Sequence, residues 1–316
     1  MDPISDDMNN GAQPNDGDRP SKRRQRVIPG LYIVSTPIGN LGDLTPRAID
    51  IMKAADLVAC EDTRVTGKLL KLHAIDTRMT PYHDHSSPAA RDGIIQHLKN
   101  GKIVALVSDA GTPLISDPGY RLVRDAVDAG IMVTAAPGPS SPLTALVLSG
   151  LPTDRFFFAG YLPPKDKARR DILAEVAGLR ATLIFLESPK RLAASVAAMA
   201  EILGNRPAAV AREMTKLHEE VRRGGLVDLA GQYADMPPPK GEAVVVIGPP
   251  DAGAADAVDI DGMLTAAMAA MSVRDAAATV AAATGTPRKE IYSRALALSR
   301  PTGPGDPGAG TDDEDG

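Results

Sequence analysis

The stretch Lys102–Gly119, KIVALVSDAGTPLISDPG, is the part of the sequence that decides the fold. Ile103–Val107 is a continuous apolar run rich in β-branched residues, which is typical of a strand buried on both faces of a sheet. In the loop that follows, Gly111 and Gly119 permit positive φ and close backbone approach, and prolines stiffen the turn. Open α/β sheets bind ligands at such loops, at the carboxyl ends of their parallel strands. The stretch therefore predicts a ligand-binding loop, with an ordinary strand–helix connection as the alternative.

Apolar runs alternate with helical patterns on both sides of this stretch. The first half of the chain predicts further strands at Leu31–Val34, Leu57–Cys60 and Met132–Ala135, and an extended segment at Thr77–Tyr82. Helices are predicted at Pro46–Ala55, after Glu61-Asp62-Thr63-Arg64 through Leu72, from Ser87-Pro88 to about Asn100, at Tyr120–Ala129 and at Pro142–Ser149. The alternation predicts an α/β fold in which helices cover both faces of a parallel sheet. Two further Gly/Pro loops follow predicted strands, STPIGNLGD from Ser35 and APGPSS at Ala136–Ser141.

Beyond a predicted hinge at Leu151–Arg155, the same kind of pattern resumes and predicts a second α/β domain with some antiparallel strands. Its strands are predicted at Phe156–Ala159, Thr182–Leu186, Ala208–Arg212 and Ala243–Ile247, with a short extended segment at Val221–Arg223. The segment YLPPKDKARR, Tyr161–Arg170, is predicted as a polar loop before a helix that runs to about Ala177. A long Ala-rich helix is predicted to end at Leu203.

The C-terminal part predicts a small helical domain. Helices are predicted at Gly262–Met271, Val273–Ala283 and Arg288–Leu298, in a helix-turn-helix-like outline. Its basic residues Arg288, Lys289 and Arg294 either contact phosphates or belong to a packing or dimerisation bundle, and both interpretations remain open. The predicted divisions are a disordered tail at 1–28, α/β domains at 29–150 and 151–250, the helical domain at 258–300 and a disordered acidic tail at 301–316.

Composition sets broad limits on function. Of 316 residues, 43% are hydrophobic and 24% charged, and the net charge of -5 argues against a uniformly basic nucleic-acid coat but not against a local basic face. Cys60 is the one cysteine, so an intrachain disulfide and a cysteine-based metal cluster are excluded, and we expect it to be a buried small hydrophobe. The apolar runs are too short to span a membrane and the N-terminus does not resemble a signal peptide. A cytoplasmic protein without a membrane partner is expected.

Several candidate sites have both a functional and a purely structural interpretation. No GxGxxG follows the first strand and no Walker motif occurs, which excludes the common dinucleotide and P-loop sites. His83-Asp84-His85 hints at a metal, yet no further ligand completes a set, so we expect none. Asp109, Ser140 and Ser141 suit a carboxylate or a nucleoside, or merely cap helices.

Two charged segments also follow strand ends. Lys190-Arg191 faces either solvent or an anionic substrate such as phosphate. Glu213, Lys216, Glu219 and Glu220 follow Arg212, and they form either a solvated charged helix or part of a cleft.

Nine motifs, taken together, resemble those of one superfamily. In order along the chain they are STPIGNLGD, EDTR, YHDHS, VSDAGTPLISDPG, APGPSS, LPTDRF, FLESPKR, AREMTKLHEE and KGE. They resemble the tetrapyrrole methylases and, within them, the branch of S-adenosylmethionine-dependent 2'-O-ribose methylases that act on a cytidine of 16S rRNA in the decoding centre. Members that use tetrapyrroles have GDP where this chain has Gly111-Thr112-Pro113, which favours the RNA branch. Ser86 departs from the family, where asparagine is expected.

The resemblance covers roughly Pro29–Gly248 and plausibly the small helical domain. It implies two α/β domains with the methyl donor, S-adenosylmethionine, in a cleft between them. It also implies a homodimer that takes part in rRNA processing, with 16S rRNA, in the 30S subunit, as substrate. The donor contacts that it implies are Pro37, Asp109, Gly111, Thr112, Pro113, Ile115, Ser140, Ser141, Leu186, Ala211 and Glu242.

The chemistry expected from this resemblance is in-line displacement at the sulfonium methyl group by a ribose 2'-oxygen. Candidate general bases are Asp62, Glu187, Glu213 and Lys216, between which the sequence does not choose. Candidates for positioning RNA phosphates are Arg64, Lys190, Arg191 and Arg212. Two other functions remain open: C-methylation of a tetrapyrrole or modification of a protein side chain by the same fold, and RNA binding without catalysis.

Overall fold

The structure, a computed structural model, describes residues 27–83, 86–250 and 260–299. The chain divides into two compact units, Met1–Ser141 and Pro142–Gly316. This division, at Pro142, falls nine residues before the predicted hinge at Leu151–Arg155. The predicted disordered tails lie outside the described residues, apart from Val27 and Ile28, and so do residues 251–259.

A five-stranded sheet forms the centre of the first unit, in the order β3-β2-β4-β1-β5, and every neighbouring pair is parallel. Its strands are β1 (Gly30–Val34), β2 (Leu57–Cys60), β3 (Met79–Pro81), β4 (Ile103–Val107) and β5 (Val133–Ala136). The predicted parallel α/β arrangement is thus confirmed. Cys60 is fully buried, as expected, and burial raises the pKa of its thiol.

Helices cover both faces of this sheet. They are α1 (Pro46–Ala54), α2 (Thr63–Leu72), α3 (Pro88–Lys99) and α4 (Tyr120–Asp128), and α5 (Ser141–Ser149) follows at the division between the units. The first two pack in one apolar cluster and the next two in the cluster on the other face. A capping side chain begins each of the helices α1, α2 and α3. Thr45, Asp62 and Ser87 accept hydrogen bonds from backbone N–H groups in the first turns of these helices.

Strand register places the loops of this unit along one edge. The last residue of β1, Val34, lies opposite Val107 of β4 and Ala136 of β5, and Cys60 also lies opposite Val107. The chain leaves the adjacent strands β1 and β4 toward opposite sides of the sheet, through α1 and α4. Such a reversal opens a crevice at the carboxyl ends of the two strands, where α/β sheets bind ligands.

A mixed sheet forms the centre of the second unit, in the order β6-β7-β10-β8-β9. β6 pairs with β7 in parallel and the other neighbours are antiparallel, as the sequence predicts for this part. Its strands are β6 (Phe156–Tyr161), β7 (Thr182–Glu187), β8 (Pro207–Arg212), β9 (Glu220–Gly225) and β10 (Ala243–Ile247). Its helices are α6 (Asp166–Val176), α7 (Leu192–Leu203) and α8 (Leu226–Ala234).

A separate apolar cluster holds the C-terminal helices α9 (Ile260–Met268), α10 (Val273–Thr284) and α11 (Arg288–Leu298) together. Ser272 caps α10, and Gly285 ends it with φ of 69°. Arg294, one of the candidate phosphate contacts, forms an ion pair with Asp261 at 2.7 Å. That pair joins the first and last helices of the cluster.

Two expectations for the second unit were wrong. The predicted polar loop Tyr161–Arg170 is helical from Asp166 onward, because Asp166 pairs with Arg169 and Arg170 one turn later and stabilises the helix start. The helix α8 lies where no element was predicted. It forms because Leu226, Leu229 and Tyr233 are buried against the second sheet.

No helix in the described part of the chain is long and apolar enough to cross a membrane.

Phe185→Ala tests the core of the second unit. Phe185 lies on β7 and is fully buried, so truncation leaves a cavity and costs about 3–5 kcal/mol of unfolding free energy. Phe157→Ala on the neighbouring β6 is the matched control, because 41% of that side chain is exposed, and it costs less than about 1 kcal/mol. Urea denaturation measures both variants. Equal losses would contradict the described core.

Candidate functional site

Backbone pairing holds the central loop after β4 against the loop after β1. Thr36 N–H donates to Gly111 O at 2.9 Å, and Gly111 N–H donates back to Thr36 O at 3.1 Å. The Thr36 hydroxyl donates to Ser108 O at 3.0 Å, and the Ser108 hydroxyl donates to Gly111 O at 3.0 Å. The beginning of the central loop is therefore fixed by both backbone and side-chain hydrogen bonds.

A relay of two hydroxyl groups connects the loop after β5 to the loops after β1 and β4. Thr112 Oγ1 donates to Pro139 O at 2.9 Å. A hydroxyl has one proton, so the 3.0 Å contact between Ser35 Oγ and Thr112 Oγ1 must have Ser35 as the donor. Thr112 thus joins the loops that follow β1, β4 and β5.

The conformation of the central loop favours close approach to its backbone. Gly111 has φ of +90°, and a Cβ added there would lie 3.3 Å from Ile38 Cγ2. Leu114 and Ser116 also have positive φ, at 73° and 61°. For residues with a Cβ, such backbone costs about 1–3 kcal/mol each and clusters at functional sites. The loop is therefore held in a shape that packing alone does not explain.

A cavity of about 380 Å³ lies at the same edge of the first unit. It is lined by Pro37, Leu41, Val65, Thr66, Lys68, Leu69, Leu72, Ser108 and Asp109. Its volume is in the range of small-molecule sites, and its walls are mostly apolar with a few polar groups. Asp109 is oriented there by Asp62, whose backbone N–H donates to Asp109 Oδ1 at 3.1 Å.

The structure brings together many of the donor contacts assigned to the first unit. Pro37 and Asp109 line the cavity, and Gly111, Thr112 and the buried Pro113 follow directly in the central loop. Ile115 is further along the same loop and 43% exposed. Ser140 and Ser141 lie at the start of α5, next to the loop that Thr112 contacts.

Asp62 and Arg64, two further candidates, are engaged with each other. Arg64 Nη2 lies 2.7 Å from Asp62 Oδ2, and Arg64 N–H donates to Asp62 Oδ1 at 2.8 Å. These hydrogen bonds from Arg64 lower the pKa of Asp62 to about 2. A carboxylate of such low pKa is a weak base at neutral pH.

In the second unit, the register places the remaining donor contacts close together. Leu186 on β7 and Ala211 on β8 lie on either side of Val244 in β10. Glu242 comes immediately before β10, and Tyr161 on β6 donates a long 3.4 Å hydrogen bond to Glu242 Oε1.

Glu187 and Arg191 form a buried network. Glu187 is 1% exposed and accepts hydrogen bonds from Ser188 N–H at 2.7 Å and from Ser195 Oγ at 2.5 Å. Arg191 Nη2 lies 2.7 Å from Glu187 Oε1, and Arg191 Nη1 donates to Leu162 O at 2.9 Å. Both side chains are therefore already used in fixing the turn between β7 and α7.

The charged segment after β8 is a turn, so its interpretation as a solvated helix is wrong. Glu213 and Thr215 have positive φ, at 49° and 66°, which a helix does not allow. Glu213 pairs with Lys216 at 2.9 Å, and Glu219 accepts from Thr215 N–H at 2.7 Å.

A second cavity, of about 420 Å³, adjoins this turn. It is lined by Arg212, Glu213, His218, Met236, Pro237, Pro238, Pro239 and Lys240. Arg212 is held by Glu220 at 2.6 Å, and hydrogen bonds from Arg222 and Arg212 lower the pKa of Glu220. The interpretation of this charged segment as part of a cleft within the second unit therefore agrees with the structure.

The sequence did not identify most of the residues that line the first cavity. Val65, Leu69 and Leu72 recur at helical spacing on α2, and that spacing was the available signal. No pattern in the sequence marks Lys68 as a residue that lines the cavity.

Among the described residues, no group of three or more His, Cys, Asp or Glu side chains is arranged to hold a metal. Of the suggested His83-Asp84-His85 site, Asp84 and His85 lie outside the described residues.

Thr112→Val tests the hydroxyl relay. It removes the hydrogen bonds to Pro139 O and from Ser35 Oγ, so we expect the unfolding free energy to fall by about 1–3 kcal/mol. The Gly111 amide should also exchange its hydrogen faster, because the loop is less firmly held. Thr134→Val on β5 is the control, since a β-branched apolar residue suits a strand. Denaturant titration and hydrogen exchange measure the effects, and equal behaviour of the two variants would argue against the relay.

Comparisons with known proteins agree with this architecture. A family model described as Tetrapyrrole (Corrin/Porphyrin) Methylases matches residues 30–230, and one described as RsmI C-terminal HTH domain matches residues 254–299. The solved structure of a cobalamin biosynthetic enzyme, cobalt precorrin-4 methyltransferase, aligns with a TM-score of 0.50 over 69% of this chain and 94% of that one. At 17% identity, that likeness shows the fold alone.

Curated relatives are much more similar in sequence. The Ribosomal RNA small subunit methyltransferase I of Mesorhizobium japonicum is 51% identical over 281 residues, which are 89% of this chain and 96% of that protein. The protein of the same name from Erythrobacter litoralis is 56% identical over 272 residues, 86% of this chain and 96% of that one. The chain therefore belongs to the ribosomal RNA small subunit methyltransferase I family of the tetrapyrrole methylases.

Proposed function

We propose that this protein is an S-adenosylmethionine-dependent rRNA methyltransferase that methylates the ribose 2'-oxygen of a decoding-centre cytidine in 16S rRNA. The observation that carries the proposal is the set of three cross-linked loops at the carboxyl edge of the first sheet. Family membership supports rRNA methylation, because the relatives are named for it. Gly111-Thr112-Pro113, in place of the GDP of tetrapyrrole-using members, supports an RNA substrate.

The central loop fits a methyl donor that is bound through backbone groups. Gly111 adopts its φ of +90° without strain because it has no Cβ, and the hydrogen bonds of Thr36 and Thr112 hold the loop in place. When bound, S-adenosylmethionine supplies an electrophilic methyl group on a positively charged sulfonium. Loop carbonyls are suited to face that charge, and loop amides to bind its carboxylate. For the second unit we propose Leu186, Ala211 and Glu242 as donor contacts, in agreement with their neighbouring register positions.

Of the candidate bases, the Glu213–Lys216 pair is favoured. Asp62 is a weak base because its pKa is about 2, and the oxygens of Glu187 are occupied by Ser195, Ser188 and Arg191. Glu213 lies on a turn with strained backbone beside the second cavity, as reactive groups often do. We propose that the Glu213 carboxylate, oriented by Lys216, accepts the 2'-hydroxyl proton as the oxygen attacks.

RNA phosphates require local cations, since the net charge of the whole chain is -5. Among the four candidates, Lys190 and Arg64 are exposed, and Arg212 borders the second cavity. Arg191 is committed to Glu187 and Leu162, so we assign it to positioning the turn rather than to phosphate contact.

The remaining expectations concern assembly and location. We propose that the substrate is the 30S subunit, and that the protein works in the cytoplasm as a homodimer. Helix α5 exposes 49% of Leu143 and 71% of Val147, which supports an interface between copies on that helix.

The decisive test is methyl transfer itself. The protein is incubated with labelled donor and, separately, with 16S rRNA, 30S subunits and tetrapyrroles, and any label is then mapped. We expect label in 30S subunits at one cytidine ribose, where it makes the adjacent phosphodiester resistant to alkali. Label in a tetrapyrrole, in a base or in a protein, or no label in any arm, would contradict the proposal.

Gly111→Arg tests the donor loop separately from RNA. A side chain at φ of +90° strains the backbone and presses on Ile38 in the loop after β1, so we expect the loop to be displaced and donor affinity to be lost. Gly93→Arg is the matched control, because an added Cβ on that exposed helical glycine has nothing within 4 Å. Calorimetry measures donor affinity, and thermal unfolding checks that both variants fold. Normal donor affinity in Gly111→Arg would count against the loop.

A further inference from the structure

The cavity of the first unit has apolar walls that the protein core does not need. Leu41, Val65 and Leu72 line it and are exposed by 52%, 43% and 59%. The buried face of α2 is formed by other side chains, Thr66 and Leu70. Exposed apolar side chains gathered around a concave surface mark a place where a ligand binds.

Its position relates it to the methyl donor. Pro37, Ser108 and Asp109 line the cavity and belong to the loops that hold Gly111 and Thr112. The group that accepts the methyl must lie against the donor. A cavity next to the donor loop is therefore placed for the acceptor.

Two charged groups at the cavity are complementary to one edge of cytosine. Asp109 Oδ1 accepts from the Asp62 backbone N–H, which orients the carboxylate and leaves Oδ2 for a ligand donor. Lys68, an exposed cation on α2, supplies a donor. Cytosine offers the amino N4 to a carboxylate and its ring acceptors to an ammonium. Uracil has an acceptor in place of N4, so it would face the Asp109 carboxylate unfavourably.

We propose that this cavity receives the base of the target cytidine, turned out of the rRNA, between the apolar side chains of α2 and the loop after β1. The inference rests on the proposed function and deepens it. Enzymes that do chemistry on a base extrude it into such a pocket and read its Watson–Crick edge, and the same recognition is assigned here to an enzyme whose chemistry is on the ribose. The Asp109 carboxylate, which the resemblance assigns to the donor, is assigned here to the base instead, and the backbone of the central loop is left for the donor.

Val65→Trp tests occupancy of the cavity. The indole fills the space, so we expect kcat/KM for 30S methylation to fall by roughly tenfold or more while the donor Kd changes less than about twofold. Val127→Trp is the matched control, since Val127 is a 59% exposed valine on α4 that does not line the cavity. Thermal unfolding checks the fold of both variants.

Lys68→Ala, with Lys71→Ala as control on the same helix, repeats the test without added bulk. We expect the first to lower kcat/KM for RNA and the second to leave it unchanged. Loss of donor affinity in Val65→Trp would assign the cavity to the donor. Unchanged methylation in Val65→Trp and Lys68→Ala would show that the base does not enter the cavity. Either result would overturn this inference and leave the proposed function standing. An unaltered protein that methylates no RNA would overturn the proposed function and the inference with it.

Asp109→Asn tests base recognition. The amide both donates and accepts, so we expect the preference for cytidine over uridine at the target position of reconstituted 30S subunits to fall by about tenfold. The ratio of the two kcat/KM values is the readout, because a general defect in donor binding lowers both equally. An unchanged ratio would contradict the assignment of the Asp109 carboxylate to the base.

Discussion

The register of the parallel strands is the constraint on which the first unit depends. Because Val34 lies opposite both Val107 and Ala136, the loops after β1, β4 and β5 begin side by side. Close approach at Gly111 then allows the paired hydrogen bonds with Thr36, and the Thr112 hydroxyl adds the third loop. The hydrogen-bond partners are far apart in sequence, so the loop edge exists only when the whole sheet has formed. Folding of the sheet and assembly of the site are therefore one event.

Much of the fold could be predicted because glycine, proline and polar residues mark the ends of many strands and helices in the sequence. The bounds of β2, β4, β10 and α11 agree residue for residue with the predicted elements, since Gly, Pro and polar turns flank each apolar run or begin the helix. The helix α8 could not be predicted in this way. Its stability comes from burying Leu226, Leu229 and Tyr233 against a sheet whose strands lie elsewhere in the chain. The start of α6 was predicted as a loop because the segment is polar and begins with prolines. Ion pairs between Asp166 and the arginines one turn later stabilise a helix there instead.

The sequence predicts where the candidate site lies, but it does not predict which side chains are free to act as bases there. Loops that follow parallel strands begin at one edge, and the Gly/Pro loops after β1, β4 and β5, which the sequence marks, do contact one another there. The role of a carboxylate, by contrast, depends on its partners. Glu187 looks like a candidate base in the sequence, yet the structure surrounds it with Ser195 and Arg191 from the following turn and helix. Sequence alone does not tell which donors will reach a carboxylate.

The two kinds of contact in the first unit suggest why one fold serves different methyl acceptors. The central loop presents backbone groups, which a change of side chain alters little, provided that Gly111 keeps its conformation. The cavity beside it is built from side chains of α2 such as Val65 and Lys68, which single substitutions replace without disturbing the sheet. If the central loop holds the donor as proposed, it is tied to the strand register of the fold, while the walls of the cavity can change independently of it. Under the two proposals, substrate choice would reside in the exposed face of α2, and donor binding in the loops at the edge of the sheet.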